Sequence, residues 1–292
     1  MVTTDTTRAT KSTLLGKRLG FVGCGVMAEA IISILLEQQM VDREQIRGSE
    51  PIDSRRTELE SSLCIDISRD NFDAVRDADI VLLTIKPQSL ETVMRQLTGH
   101  LKPHQVVVSI IPGATIERMS EGLQHDRIVR SMPNTPSQIG SGVTAWIPSS
   151  AVDEDSREAV AAILGTMGTA VQLDSESAID MATAISGSGP AYVFLMLESM
   201  IDAGVHLGFP RPVAQQLVEE TMLGAILYAR QSGKHPAELR NMVTTPGGTT
   251  ASALKTLDQG GFRTVVDDAV WSAFHRAVEL GTISKNGTGN GS

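Results

Sequence analysis

Between Leu19 and about Leu173, short β-branched apolar runs alternate with stretches of helical periodicity. The runs Leu19–Val22, Ile46–Glu50, Ile80–Ile85, Val106–Ile111, Ile128–Met132, Val143–Ile147 and Ala170–Leu173 predict strands. Ile80-Val81-Leu82-Leu83 is apolar at both odd and even positions, the pattern of a strand covered on both faces. Helices are predicted at Met27–Gln39, Gln88–Leu101 and Asp153–Met167. Strand and helix joined by short connections point to βαβ units and a mostly parallel sheet. After about Ser175 the strand signal stops. Helical patterns cover Glu176–Ile185, Pro190–Leu207, Arg211–Gln231, Pro236–Val243, Thr249–Asp258 and Phe262–Lys285. Pro190, Pro210 and Pro236 stand where helices begin, the position proline tolerates best. The expected fold class is α/β, an N-terminal Rossmann-type domain followed by an all-helical domain. The boundaries are a loose tail 1–18, a nucleotide-binding domain 19–173, a helical domain 174–285 and a second loose tail 286–292.

The chain has 292 residues, and 41% of them are hydrophobic, enough for the two cores this division needs. Net charge is -9, and no Lys/Arg run appears, which disfavours nucleic acid as a partner. No stretch reads as a membrane span: the uncharged segment Met181 to Leu197 is interrupted by Ser186-Gly187-Ser188-Gly189-Pro190. The Thr-rich start has no apolar core of the secretory kind. Two cysteines, Cys24 and Cys64, make neither a disulfide framework nor a zinc site and suit a reducing cytoplasm.

Gly23-Cys24-Gly25-Val26-Met27-Ala28 follows the first strand and opens the first helix, matching G-x-G-x-x-A. Gly23 permits a tight turn. Gly25 lets the backbone approach a pyrophosphate, and the helix N-terminus offers free N–H groups. Glu50 ends the second strand, where a Rossmann domain reads the ribose; a carboxylate there repels a 2′-phosphate and favours NADH. Arg55 and Arg56 follow, either as partners for such a phosphate or as a solvated pair on a helix. The other strand ends should line the same crevice. Lys86 can approach phosphate or ribose, Pro87, Ile111 and Pro112 can press on a nicotinamide ring, and Asn134 can hydrogen-bond an amide or ribose. Each also reads as a structural turn residue.

In the helical half, Thr245-Pro246-Gly247-Gly248-Thr249-Thr250 stands between two helical patterns. Both glycines can take φ > 0, and successive N–H groups then form a concave anion nest. The threonine hydroxyls either meet the ligand or cap the helix. Ser186–Pro190 reads as a similar turn, or as close packing at small residues. The six histidines show no metal-ligand spacing, and no nucleophile arrangement is apparent.

With Ala184-Ile185-Ser186-Gly187-Ser188-Gly189-Pro190-Ala191-Tyr192, Asp202-Ala203-Gly204-Val205 to Gly208, Thr245–Thr250, Gly260–Arg263 and Met132–Pro136, the chain resembles the pyrroline-5-carboxylate reductases from about Leu19 to Leu280. The resemblance implies hydride transfer from NADPH or NADH to the C=N carbon of 1-pyrroline-5-carboxylate, giving L-proline, the last step of proline biosynthesis. It implies a helical domain that interlocks with a partner's in a homodimer, often built into a decamer. The active site would lie where a Rossmann domain meets the dimer's helical domains. By family position Gly23, Gly25, Val26 and Met27 hold the pyrophosphate, and Asn71 touches the cofactor. Ile85, Lys86 and Pro87 form the first loop beside it, and Ile110, Ile111 and Pro112 the loop beside the nicotinamide. Glu176, Gly247, Gly248, Thr249 and Thr250 surround the substrate, with Thr250 the catalytic candidate at the ring nitrogen. Glu50 departs from the small polar residue common in NADPH-using members.

Two other enzyme or binding classes share parts of this pattern. A β-hydroxyacid dehydrogenase shares the glycine-rich start and helical second domain, but needs a helical Lys with Asn one turn on; Lys234, Lys255 and Lys285 lack it. A non-catalytic NAD(P)-binding sensor would not need the Thr245–Thr250 turn intact. Tyr192–Leu207 and Val218–Leu227 are apolar on more than one face, which predicts helices shared between two subunits rather than a monomeric core.

Overall fold

The computed structural model describes residues 11–286, folded as two compact units. The first unit takes in the described residues up to Ser188 and those from Ala273 onward; the second is Gly189–Ser272. The outer parts of the two expected tails, 1–10 and 287–292, lie outside the described residues. Residues 11–18 are not a loose tail. Lys11–Leu14 forms a 3-10 turn, Leu14 is fully buried, and Gln45 Nε2 donates to the carbonyls of Leu14 and Lys17 at 3.2 and 2.7 Å.

The first unit runs β1 (Leu19–Val22), α1 (Val26–Glu37), β2 (Ile46–Ser49), α2 (Asp53–Leu63), β3 (Asp66–Ser68), α3 (Asn71–Val75) and β4 (Ile80–Leu83). It continues α4 (Leu90–Leu97), β5 (Val106–Ser109), α5 (Ile116–Leu123), β6 (Ile128–Met132), β7 (Gly142–Pro148), α6 (Glu154–Thr166), β8 (Gly168–Gln172) and α7 (Glu176–Ala182). The eight strands form one sheet in the order β3-β2-β1-β4-β5-β6-β7-β8. Every pairing is parallel except β6 with β7. This is the doubly wound order, with its switch point between β1 and β4.

Side-chain alternation divides the core in two. Leu19, Phe21, Ile80, Leu82, Val106 and Val108 pack on one face with α1 and α6. Val22, Val81, Leu83 and Val107 pack on the other with α4 and α5. A period of two in strands apolar at every position requires this double cover. α6 has a fixed start: Asp153 accepts from Ser156 N–H at 2.9 Å and from Arg127 at 2.7 Å, and these bonds draw its pKa down to about 2.

The second unit holds α8 (Gly189–His206), α9 (Arg211–Ser232), α10 (Pro236–Met242), α11 (Thr249–Gln259) and the first part of α12 (Phe262–Asn286). α8 and α9 pack closely: a Cβ on Gly204 would stand 3.0 Å from the Ala214 Cβ. Much of their apolar surface is nevertheless uncovered, including Val193, Phe194, Leu195, Leu223 and Ile226. Ser186–Pro190 is not a free turn. Thr183–Gly187 is a π-helical turn, with Ser188 N–H donating to Thr183 O at 2.8 Å, and α8 begins at Gly189. Gly187 faces Met132, whose Cε would lie 3.1 Å from an added Cβ, so small-residue packing is the reading that holds.

Candidate functional site

The register Val22↔Leu83, Leu83↔Ser109, Ser109↔Arg130 brings the carboxyl ends of β1, β4, β5 and β6 to one edge of the sheet. Gly23 turns there with φ +88, and Gly23 and Cys24 N–H both donate to Ser49 O at 3.0 Å. Thr84 Oγ1 donates to Gly23 O at 2.7 Å, fastening the loop from the other side. A Cβ on Gly23 would run into Ile85, so no larger residue fits. Around Gly25 nothing lies within 4 Å of an added Cβ. Gly25 is also the N-cap of α1, which has no side-chain cap, so the first-turn N–H groups of Val26 and Met27 are left for a ligand. An open cradle on an uncapped helix start fits a pyrophosphate. Cys24 is buried within this loop, and burial pushes its thiol up to about 12.

Glu50 is nearly buried just beyond β2, and its Oε1 accepts from Ile52 N–H at 3.2 Å. Neither Arg55 nor Arg56 is a loose solvated side chain. Arg55 bridges Glu29 on α1 and Glu58 on α2, while Arg56 donates to Asp53 Oδ1 at 2.6 Å and Glu50 O at 2.8 Å. The two carboxylates raise the Arg55 pKa, Glu58 foremost. Asn71 sits at the head of α3 with both ends of its amide engaged, accepting from Ser49 Oγ and donating to Gln96 Oε1, each at 2.7 Å.

The remaining loops differ in what they expose. Lys86 and Pro87 are exposed ahead of α4, Ile85 and Ile110 are half-buried, and Pro112 is exposed. Ile111 departs from its expected role: its side chain is 2% exposed and belongs to the core beside α4 and α5, so it does not press on a ring. Asn134 Oδ1 accepts from Val143 N–H at 3.0 Å, which fixes the start of β7 and leaves its amide NH2 to a ligand.

Glu176, at the head of α7, is bound into the protein. Its Oε1 accepts from Ile116 N–H at 2.8 Å and from Arg130 Nη1 at 3.1 Å, while Arg130 Nη2 reaches Asp180 at 2.6 Å. Arg130, in the middle of β6, is almost fully buried, and it escapes a reading of motifs. Its signal was a lone charge inside an apolar strand, which requires a paired acid.

In the second unit the Thr245–Thr250 turn differs in detail from the expected nest. Gly247 takes φ +71, but Gly248 has φ -78 and is the N-cap of α11. Gly248 N–H donates to Thr245 O at 3.0 Å and so closes the turn rather than facing a ligand. No side chain caps α11, which leaves the N–H groups and hydroxyls of Thr249 and Thr250 at its start as the anion-binding set.

Residues 176–280 match the family model described as pyrroline-5-carboxylate reductase dimerisation, and residues 18–113 match that described as NADP oxidoreductase coenzyme F420-dependent. The pyrroline-5-carboxylate reductase of Synechocystis sp. is 38% identical over 90% of this chain and 98% of its own. That of Pseudomonas aeruginosa is 40% identical over 90% and 96%. Among solved structures, a pyrroline-5-carboxylate reductase from Coxiella burnetii superposes with TM-score 0.82 at 32% identity, covering 90% of this chain and 98% of that one. A pyrroline carboxylate reductase from Plasmodium falciparum with NADP bound gives 0.83 at 29% identity over 91% and 98%.

Proposed function

The chain belongs to the pyrroline-5-carboxylate reductase family, and we propose that it reduces 1-pyrroline-5-carboxylate to L-proline with NAD(P)H, the closing step of proline biosynthesis. One observation carries the reading: a single chain holds two uncapped helix starts behind glycine turns, one in a Rossmann unit and one in a helical unit. The first suits a pyrophosphate and the second a small carboxylate.

NAD(P)H supplies the hydride when bound. Gly23, Gly25, Val26 and Met27 hold its pyrophosphate end, Glu50 and Asn71 meet the adenosine ribose, and Ile85, Lys86, Pro87, Ile110, Pro112 and Asn134 border the rest. Thr249 and Thr250 N–H groups hold the substrate carboxylate. A protonated cyclic imine is a good electrophile, so the protein's main contribution is to position the reacting atoms, which must come within about 3–3.5 Å of each other. The hydride adds to the C=N carbon, and the ring nitrogen keeps the proton as a secondary amine. Thr250 Oγ1 is the group proposed to hydrogen-bond that nitrogen, directly or through water. Glu176, placed near the substrate by the family resemblance, has its Oε1 held by Arg130 and the start of α5.

The family model for residues 176–280 supports self-association, and we assign residues 174–285 to a homodimerisation and substrate domain. Assembly of dimers into a decamer rests on the family resemblance alone. No helix of the described residues is long and apolar enough to cross a membrane. Cys24 and Cys64 are both free thiols, which supports a cytoplasmic setting. The test is proline-dependent reduction of NAD+ and NADP+ at high pH, with Thr250→Ala alongside. The wild type turns over and Thr250→Ala loses mainly kcat; absence of proline-dependent turnover with either cofactor overturns the assignment.

A further inference from the structure

We infer that the adenosine pocket is built for a ribose without a 2′-phosphate, and that Glu29, by holding Arg55, is a specificity-determining residue for NADH; the inference rests on the dinucleotide reading above. A Rossmann domain accepts a 2′-phosphate when an arginine just beyond β2 is free to pair with it. Here the arginines in that position are Arg55 and Arg56, on the first turn of α2. Arg55 is clamped between Glu29 on α1 and Glu58 on α2, and its side chain is only 20% exposed. Arg56 is spent on Asp53 and the Glu50 carbonyl. Glu50 and Arg55 both act electrostatically on the Cys24 thiol inside the glycine loop, so their charges lie next to the pyrophosphate cradle.

A dianionic phosphate at this place would meet Glu29, Glu50, Asp53 and Glu58 with both guanidiniums already engaged. Two ribose hydroxyls would meet an acceptor instead. Glu50 Oε1 accepts from Ile52 N–H at 3.2 Å, which fixes the carboxylate just beyond β2. Glu29 belongs to the first turn of the same helix whose start holds the pyrophosphate, so the clamp is set by α1 and α2 together. Releasing Arg55 would supply a phosphate partner without rebuilding the loop.

Calorimetric titration of the full-length protein with NAD+ and NADP+ reads this directly, without turnover. The wild type should bind NAD+ more tightly. Glu29→Gln should tighten NADP+ by about tenfold, the effect of removing one nearby like charge and freeing a cation. NAD+ affinity should stay within about twofold over the same change. Glu29→Gln/Arg55→Gln should lose the gain, because the freed guanidinium is then gone. Glu58→Gln leaves α1 untouched and should shift NADP+ the same way by less, which keeps the test available if Glu29→Gln does not fold. Glu158→Gln, an exposed change on α6 of the same charge, should alter neither affinity. The inference is overturned if the wild type prefers NADP+, if Glu29→Gln moves both dinucleotides in step, or if Glu158→Gln tightens NADP+ equally. Binding of neither dinucleotide to the wild type overturns the dinucleotide reading itself and the inference with it.

Discussion

Gly248→Ala separates an anion-binding turn from a plain helix cap. An added Cβ would stand 2.5 Å from Thr245 Oγ1 and 3.1 Å from Thr245 O. The hydroxyl can rotate away. The carbonyl cannot, because it accepts Gly248 N–H at 3.0 Å and that bond closes the turn. The turn must therefore open, and the N–H groups at the head of α11 lose their common aim. Losing one charge-assisted hydrogen bond to a carboxylate costs about 1.5–3 kcal/mol. At ~1.36 kcal/mol per decade this is roughly tenfold to more than a hundredfold in kcat/KM for pyrroline carboxylate. Gly247→Ala probes a different term. Nothing lies within 4 Å of its Cβ, so only the left-handed φ +71 is penalised, by about 1–2 kcal/mol. The assay is steady-state kinetics with pyrroline carboxylate at saturating cofactor, paired with the cofactor dissociation constant. Gly248→Ala should raise KM and lower kcat/KM while the cofactor constant holds, since the dinucleotide residues lie in the other unit. Thr256→Ala, further along α11 with only an exposed bond to Ser252 O at 3.3 Å, should behave as wild type. A folded Gly248→Ala enzyme with undiminished kcat/KM would refute the anion role and leave the turn as a cap.

Sedimentation at low micromolar concentration should show no active species of 31.2 kDa, because α8 and α9 leave Phe194, Leu195 and Ile226 more than half exposed in the single chain; a stable, active monomer would sink the shared-core reading. Alkylation of the native protein near pH 8 should label exposed Cys64 and spare Cys24, whose pKa of about 12 leaves about one thiolate in ten thousand there; equal labelling would mean the glycine loop opens readily. Asp153→Ala should destabilise by about 1 kcal/mol at neutral pH through the lost α6 cap. The Asp153 pKa is lowered from 3.8 to about 2, so the native contribution is complete above 3.8 and fades as pH falls toward 2. Its half-exposed side chain keeps that contribution small, and a gap between variant and wild type that widens on acidification would contradict the sign.

The sheet was readable because β4 is apolar at every position and β5 at all but its last, Ser109, and a strand buried on both faces leaves no other pattern. α2 was legible only as a helix beneath Arg55 and Arg56, not in its extent. Of Asp53–Leu63 only Leu59 and Leu63 are buried, so its apolar stripe is one turn long. β3 spans three residues, too short for periodicity to stand out. The glycine loop was legible because its chemistry is local, carried by consecutive residues. What eluded the sequence was the contact made across distance. Glu176 and Arg130 are 46 residues apart, and no spacing rule joins them. Whether Ile111 turned inward or outward was equally hidden, since an isoleucine at a strand end satisfies both readings.

The Arg130 cluster also constrains how this sequence can change over time. Glu176 Oε1 serves two donors, the guanidinium on β6 and the first N–H of α5, and Asp180 holds the other end of the same guanidinium. Substituting Glu176 alone would leave the buried guanidinium with Asp180 as its acid and take the acceptor from Ile116 N–H; substituting Arg130 alone would leave two acids facing each other in the same space. The two positions are therefore not independent, and a double-mutant cycle across 130 and 176 should show coupling. Drift at these positions is epistatic: an exchange at one is tolerated only once its partner has already changed, so relatives should carry the three side chains together or replace them as a set.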